Sequence, residues 1–359
     1  MANDKPEFQH IDTLYTVAED ITRFAPWESG IAPFVLTDPE HPEAYVLVVI
    51  EDDGEGTSDI RLVLGLAGIR SWMVEQNIAA DTDDDNDFSV ERFITHYDGY
   101  YLEVGYNMAN LNSYEKRQLE GREHRITFRR QRPGYSMATI VDNRDYAHLE
   151  RYLRAILKLL TRQMLGDLTN GVFRLQMHGA KEMLRAAAFS LGEDEPQPAP
   201  PFVLTRDDWL AKQGPHIDEF SNARVKHLPH DGHLYELFFF YLPMLGASKG
   251  ELPRAFFLVD LESGFLEWND VIMSSGDWQE KLLRQLWQFF LDQGTRPQEL
   301  LIQNINTFCT LAADIQSCGI RVEYLPHSYV GQELLDSYLQ ATHLKEHQLL
   351  GDNSPQDPY

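Results

Sequence analysis

The chain has 359 residues, of which 56 are acidic and 31 basic, and its formal net charge at pH 7 is −25. This acidic excess argues against direct nucleic-acid binding, which depends on cations that neutralise phosphates. The acidic N-terminus does not resemble a secretory leader, and the apolar runs at 45–50 and 237–242 are too short to span a membrane. Cys309 and Cys318 lie too far apart on a predicted helix to form a disulfide, so we expect a cytoplasmic protein.

The first part of the chain predicts one helix followed by short strands. Apolar residues from Ile11 to Phe24 recur at helical spacing, and Pro26 ends the pattern. Three short segments that are rich in aliphatic residues and bounded by turn formers are predicted as strands: 33–37, 44–51 and 59–65.

Aspartates are concentrated in a loop at 81–87. Oxygen ligands stand at the first positions of a calcium-binding pattern, but Asn86 replaces the glycine of the sharp turn and Arg92 replaces the bidentate glutamate. Clustered like charges favour an extended, hydrated chain. We therefore interpret this stretch as an acidic loop and not as a calcium site.

A second group of elements follows the acidic loop. A strand is predicted near 100–106, and 124–141 is typical of two strands joined by a tight turn at Pro133 and Gly134. Asp142 then predicts the start of a helix that continues to about 164 with one apolar face. Strands and helices in this order indicate an α+β domain.

The fold class that we predict is α+β, with two domains. The N-terminal domain covers 1–165, and a helix with a proline-rich linker covers 166–205, because four prolines and three acids in 192–202 predict a segment that does not pack. The C-terminal domain covers 206–345, and a disordered polar tail covers 346–359.

In the C-terminal domain, Asp277 and Glu280 predict a capped helix that ends at Gly294. A strand, a helix and a second strand are predicted between 299 and 325. Such a short β-α-β unit normally joins two parallel strands.

Several motifs in both halves of the chain stand out. In the N-terminal half they comprise Leu14, Tyr15, Ala18, Pro26, Trp27, Phe128, Arg129, Arg132, Pro133, Gly134 and Tyr135. With these residues the chain resembles an uncharacterised bacterial family, a domain of unknown function with a Pro-Trp pair and an F-R-x-x-R-P-G-Y motif. Through Gly294, Arg296 and Pro297 the second half resembles a domain often fused to it. The resemblance implies an architecture and no activity, and Arg130 replaces the small polar residue of the family.

Arginines are concentrated in a turn at 122–135, which contains Arg122, Arg125, Arg129, Arg130 and Arg132. A guanidinium binds carboxylate or phosphate through paired hydrogen bonds. On alternating strand positions, Arg130 and Arg132 face one side of the sheet and Arg129 faces the other. The predicted anion site consists of Arg129, Arg130, Arg132, Tyr135 and Trp27. The alternative is that these arginines pair with carboxylates of the same chain.

Histidines gather in the string HLPHDGH at 227–233. Its side chains offer a candidate ligand set for zinc or nickel, namely His227, His230, Asp231 and His233. The central PHDG predicts a turn, so we expect the flanking segments 223–228 and 233–242 to pair as a hairpin.

Two further strings match catalytic patterns incompletely. GASKG at 246–250 lacks the strand-turn-helix context of a serine nucleophile, because Pro243 and Pro253 flank it, and it predicts a hairpin loop. HLKEH at 343–347 lacks a downstream glutamate that would complete a zinc site. No phosphate loop or dinucleotide fingerprint occurs in the sequence, so no cofactor is predicted.

Three functions remain open from the sequence. The leading hypothesis is a cytoplasmic binding protein that recognises an anionic small molecule, an acidic peptide or a protein partner at the arginine turn. The second is a metal-assisted hydrolase at 227–233. The third is a mimic of nucleic acid, in which residues 1–100, with 22 acidic and 5 basic side chains, occupy a basic protein partner.

Overall fold

A computed structural model describes most of the chain, and it confirms the predicted α+β class, because helices surround two separate sheets. The described residues are 9–38, 41–52, 57–81, 97–105, 116, 119, 125–135, 138–140, 143–162, 165–177, 180–192, 195–242, 251–273, 276–326, 330–331, 333–334 and 337. Several predicted features lie outside them, namely the acidic loop after Asp81, Arg122, GASKG, HLKEH and the tail at 346–359.

The first sheet is formed by the N-terminal half of the chain. Its strands are β1 (Phe34–Asp38), β2 (His41–Asp52), β3 (Ser58–Leu64), β4 (Gly99–Val104), β5 (Ile126–Gln131), β6 (Ala138–Thr139), β7 (Arg174–Leu175), β8 (Glu182–Ser190) and β9 (Gln197–Thr205). Their order is β6-β5-β4-β3-β2-β1-β8-β7, and β9 also pairs with β8. β1 and β8 are parallel, whereas the other pairs are antiparallel.

Helices cover both faces of the first sheet. α1 (Gln9–Phe24) and α3 (Asn143–Thr161) pack together over one face, as their apolar periodicity predicts. The predicted face of α3 is buried and consists of Tyr146, Leu149, Leu153, Ile156 and Leu160. A helix that we did not predict, α2 (Gly65–Asp81), contacts β2 and β3, and the short α4 (Leu165–Asn170) follows α3.

The predicted proline-rich linker is wrong in its conformation, because Gln197–Thr205 forms β9 and pairs antiparallel with β8. Proline cannot donate a ladder hydrogen bond, but an outermost strand tolerates it. Pro198 and Pro200 are exposed, and no further strand pairs with β9 among the described residues. The first sheet therefore extends to Thr205, well beyond the predicted limit at residue 165.

The second sheet is formed by the C-terminal half. Its elements are α5 (Arg206–Trp209), α6 (Glu219–Lys226), β10 (Leu234–Tyr241), β11 (Arg254–Asp260), β12 (Leu266–Ile272), α7 (Trp278–Gln293), β13 (Glu299–Ile302), α8 (Ile305–Ser317) and β14 (Arg321–Tyr324). The strand order is β12-β11-β10-β13-β14, and β13 runs parallel to both β10 and β14. The predicted β-α-β unit is thus confirmed as β13, α8 and β14.

The predicted hairpin around 227–233 is wrong, because residues 223–226 belong to α6 and not to a strand. Asp218 begins this helix by accepting a hydrogen bond from the Ser221 N–H at 2.9 Å. The Asn222 side chain accepts a hydrogen bond from Trp287 Nε1 at 2.8 Å, which ties α6 to α7. A local cap and a contact distant in sequence therefore both stabilise a helix where a strand was predicted.

The two sheets share one continuous apolar core. It includes Val35 and Leu47 of the first sheet together with Phe238 and Leu300 of the second. α2 packs against α8, where Asn306 Nδ2 donates hydrogen bonds to the Ala67 carbonyl at 3.1 Å and to Ser71 Oγ at 2.7 Å. Among the described residues, no helix has both the length and the apolar character needed to cross a bilayer.

Candidate functional site

The arginine turn has the predicted backbone, because Gly134 adopts φ +80° between β5 and β6. The predicted alternation is also present. Arg129 Nε lies 3.0 Å from Glu103 Oε2, which additionally accepts a hydrogen bond from the Thr127 hydroxyl at 3.0 Å. Arg130 and Arg132 instead meet a carboxylate of α3 on the opposite face. The two faces of β5 therefore hold separate ion pairs.

Arg130 is the most enclosed of these guanidiniums, with a side chain that is 11% exposed. Its Nη2 pairs with Asp98, and its Nη1 donates to the Gly99 carbonyl at 2.8 Å. The guanidinium also lies over the Tyr100 ring, 4.4 Å from the ring centroid. Its donors are thus directed at groups of the same chain.

Asp145 of α3 serves both arginines on this face. Its Oδ1 lies 3.6 Å from Arg130 Nε and accepts a hydrogen bond from the Tyr100 hydroxyl at 2.9 Å. Its Oδ2 accepts a hydrogen bond from Arg132 Nη2 at 2.8 Å. Arg129, Arg130 and Arg132 are therefore all paired internally, which is the arrangement that the alternative interpretation expects of them.

Tyr135 and Trp27, the aromatic members of the predicted anion site, do not lie together either. Tyr135 forms an isolated bridge with Glu251, beside a hydrogen bond from the Leu252 N–H to the Gly134 carbonyl. Trp27 lies in a 3-10 helix (Pro26–Ser29) that packs against β2. In the sheet, β3 and β4 lie between β2, which the helix of Trp27 contacts, and β5, which carries the arginines. β2 and β5 are therefore about 14 Å apart. These residues do not converge on one ligand.

The predicted metal ligands each have a different environment. His227 is the C-terminal cap residue of α6, and His230 Nδ1 lies 3.0 Å from the Pro297 carbonyl oxygen. Asp231 accepts hydrogen bonds from the His233 N–H at 2.8 Å and from the Tyr235 hydroxyl at 3.2 Å. In the part of the chain that the structure describes, no three His, Cys, Asp or Glu side chains form a metal-binding cluster. The hydrolase hypothesis gains no support from this arrangement.

Asp260 is the partner of His233 that the sequence did not reveal. Its Oδ2 lies 3.0 Å from His233 Nδ1 and accepts a hydrogen bond from the Ser263 hydroxyl, while Oδ1 accepts the Glu262 N–H. Burial alone raises the pKa of Asp260, but these hydrogen bonds and His233 outweigh burial and hold it below its usual value. The carboxylate fixes the loop after β11 and orients the imidazole.

A groove between α6 and α7 is the candidate site that the side chains support best, and we call it the α6–α7 groove. It is a cavity of about 260 Å³, lined by Ile217, Ser221, Arg224, Arg284, Trp287, Gln288 and Leu291. Its floor is apolar, because Ile217 and Trp287 are buried in the core. The hydrogen bond from Trp287 Nε1 to Asn222 holds the indole in place, so the floor is rigid.

The rim of the α6–α7 groove is cationic. Both charged residues that line it are arginines, in a chain whose net charge is −25. Arg284 pairs with Glu280 at 2.7 Å on the exposed surface of α7. Arg224 is exposed in the last turn of α6, and no carboxylate among the described residues forms an ion pair with it. A carboxylate that approaches the groove therefore meets an available guanidinium.

An exposed aromatic side chain adjoins the α6–α7 groove. Phe220 is 75% exposed and directly precedes the lining residue Ser221. Large aromatic side chains of this kind are enriched among the residues that dominate protein interfaces. The sequence did not indicate this region, because residues of α6 were predicted as a strand, which leaves no helix pair to form the groove.

Comparisons with known proteins give one family match and six remote structural matches, two of which are described below. Residues 222–339 match a family described as a domain of unknown function (DUF6930). No curated protein matches the chain. A chain of the simian T-cell lymphotropic virus intasome in complex with PP2A regulatory subunit B56 gamma shares 17% identity at a TM-score of 0.23, over 34% of this chain and 46% of that chain.

The second structural match is the HTLV-2 integrase catalytic core domain in complex with magnesium. It shares 16% identity at a TM-score of 0.22, over 36% of this chain and 84% of that chain. This chain thus spans less than half of the first matched structure, and both scores are too low to carry an argument about fold or function. The chain contains a DUF6930 domain of unknown function at residues 222–339, in agreement with the expected resemblance to an uncharacterised domain family.

Proposed function

We propose that this chain is a cytoplasmic binding protein whose partner inserts an apolar side chain, flanked by a carboxylate, into the α6–α7 groove. The observation that carries the proposal is the combination of an indole floor with two arginines at the rim. Apolar contact with Trp287 supplies affinity, and Arg224 selects an acidic neighbour. Most of the groove lies within the domain of unknown function.

The size of the groove supports a peptide or protein partner. A cavity of about 260 Å³ is smaller than the pockets of roughly 300 to 1,000 Å³ that enclose metabolites. The cavity accommodates one anchoring side chain. Hydrophobic grooves recognise peptide segments through such anchoring side chains. Exposed Phe220 extends the contact area beyond the cavity itself. The free, buried cysteines support a reducing compartment such as the cytoplasm.

The proposal is tested by selecting peptides from a random display library against the full chain. We expect the selected peptides to combine Leu, Ile or Phe with an adjacent Asp or Glu. Fluorescence polarisation then measures the affinity of a selected peptide for the wild type and for variants. Arg224→Glu should weaken binding about tenfold or more because it repels the acidic residue of the peptide. Phe220→Ser should weaken it by a similar factor because it removes an exposed aromatic contact beside the cavity.

Arg132→Ala is the matched control, since it removes an exposed arginine of the arginine turn and leaves the groove unchanged. It should bind the peptide as tightly as the wild type does. Loss of binding in Arg132→Ala together with normal binding in Arg224→Glu would assign the partner to the arginine turn. Selection without any enriched acidic and apolar pattern would remove the proposal altogether.

A further inference from the structure

Arg254, the first residue of β11, differs from the arginines described above because it is buried without an acidic partner. The residue is 5% exposed, and no carboxylate among the described residues forms an ion pair with it. Its Nε and Nη2 contact the Tyr241 hydroxyl at 3.4 and 3.2 Å, whereas its Nη1 is buried and makes no hydrogen bond. Burial of an unpaired charge is strongly unfavourable.

Aromatic rings offset part of this penalty. The guanidinium carbon lies 4.2 Å from the Trp278 ring centroid and 5.3 Å from that of Tyr241. Such cation-π contacts contribute favourably when they are desolvated. They do not replace an acceptor for Nη1, because a ring face accepts no in-plane guanidinium hydrogen bond. Arg254 is therefore a buried cation that lies against aromatic rings with one donor unused.

The position of Arg254 in the fold adds a second source of positive potential. Trp278, the ring beneath the guanidinium, is the first residue of the 16-residue helix α7. The N-cap residue Asp277 makes no side-chain hydrogen bond to the first turn, contrary to the capping predicted from the sequence. The Trp278 N–H donates to the Gly276 carbonyl at 2.9 Å, so the N–H groups of the next two residues and the helix dipole are what favours an anion at this terminus.

Arg254 lies directly against the start of α7. Its guanidinium carbon is 4.2 Å from the ring centroid of Trp278, the first residue of this helix. Two features, an unpaired guanidinium and a helix start without a side-chain cap, therefore coincide at one place.

We propose that Arg254 and the N-terminus of α7 form a binding site for an oxyanion, either inorganic phosphate or the phosphate group of a larger molecule. Arg254 Nη1 donates to one anion oxygen, and the main-chain N–H groups that follow Trp278 in the first turn of α7 donate to the others. This site is separate from the α6–α7 groove, whose lining residues begin further along α7 at Arg284.

Thermal unfolding of the full chain tests the oxyanion site. Phosphate at 10 mM, compared with chloride at equal ionic strength, should raise the Tm of the wild type by about 2 °C or more and show saturation. A nucleoside monophosphate in a parallel arm separates inorganic phosphate from a phosphate ester. Arg254→Met should abolish the shift and should melt no lower than the wild type in chloride, because it removes an unpaired buried charge.

Arg321→Met is the control, because Arg321 is a largely exposed arginine of the same sheet, and it should keep the full phosphate response. A response of equal size in Arg254→Met, or no response in the wild type, would overturn the proposal. If Arg254→Met fails to fold, the phosphorus resonance of phosphate decides with the wild type and Arg321→Met. Saturable broadening that survives in Arg321→Met supports the site, and an unbroadened resonance refutes it.

Discussion

Replacement of Asp145 by alanine is the sharpest stability test of the arginine turn. Asp145 is 14% exposed and accepts hydrogen bonds from the Tyr100 hydroxyl and from Arg132, while its Oδ1 also faces Arg130. The bond from Tyr100 to a carboxylate contributes about 1.5 to 3 kcal/mol. Arg132 is 53% exposed, so solvent screening limits its pair to less than about 1 kcal/mol.

Arg130 keeps Asp98 and the Gly99 carbonyl after this substitution, so its charge is not left without a partner. The loss is therefore smaller than the roughly 3 to 5 kcal/mol that follows when a buried pair is broken. We expect Asp145→Ala to lower the free energy of unfolding by about 2 to 4 kcal/mol. Urea denaturation followed by circular dichroism measures the difference.

Arg154→Ala is the matched control on the same helix. Arg154 is about half exposed and pairs only with Glu150, one turn away. Its removal should change the free energy of unfolding by less than about 0.5 kcal/mol. If Asp145→Ala changed the free energy of unfolding as little as this control does, the carboxylate would not stabilise the turn. The arginines would then again be candidates for binding an external anion.

Three further predictions concern other parts of the core. Cys309 and Cys318 are fully buried, and burial raises the pKa of the Cys318 thiol to about 11. A thiol reagent should therefore label the native protein only as it unfolds, and rapid labelling at pH 8 would contradict this. Asn222→Ala removes the acceptor of buried Trp287 Nε1 and should lower the free energy of unfolding in urea by about 1 to 3 kcal/mol; an unchanged value would show that the bond is dispensable. Because the folded pKa of Asp260 is depressed, its stabilisation is present above the unfolded value near 3.9 and is lost as pH falls through the folded value. The stability difference between wild type and Asp260→Asn should therefore be largest above about pH 4 and should close below it, and a constant difference from pH 6 to 2.5 would refute this assignment.

Local sequence patterns predicted the elements whose own residues carry the signal. The apolar face of α3 and the turn at Gly134 follow from spacing and backbone preference, and both are confirmed. The alternation of Arg129 and Arg130 across β5 also follows from strand geometry. Each of these features depends on neighbours within a few residues, so one sequence is sufficient to predict it.

Features that depend on distant contacts were not predictable in this way. Gln197–Thr205 becomes a strand because β8 offers it a free edge, although its prolines indicate a linker. α6 forms where a strand was predicted, and besides its local cap at Asp218 it is held by a hydrogen bond from Trp287, 65 residues away, to Asn222. Asp145 and Asp98 are unremarkable in the sequence, and only the fold brings them to Arg130. The α6–α7 groove is therefore visible only in three dimensions.

Hydrogen-deuterium exchange with a selected peptide tests most directly where a partner binds. Bound peptide should slow exchange in residues 217–228 and 281–293, which form the two walls of the α6–α7 groove. Exchange in 126–135, around the internally paired arginines, should remain unchanged. Protection confined to 126–135, with none in α6 or α7, would contradict the account and return the binding site to the arginine turn.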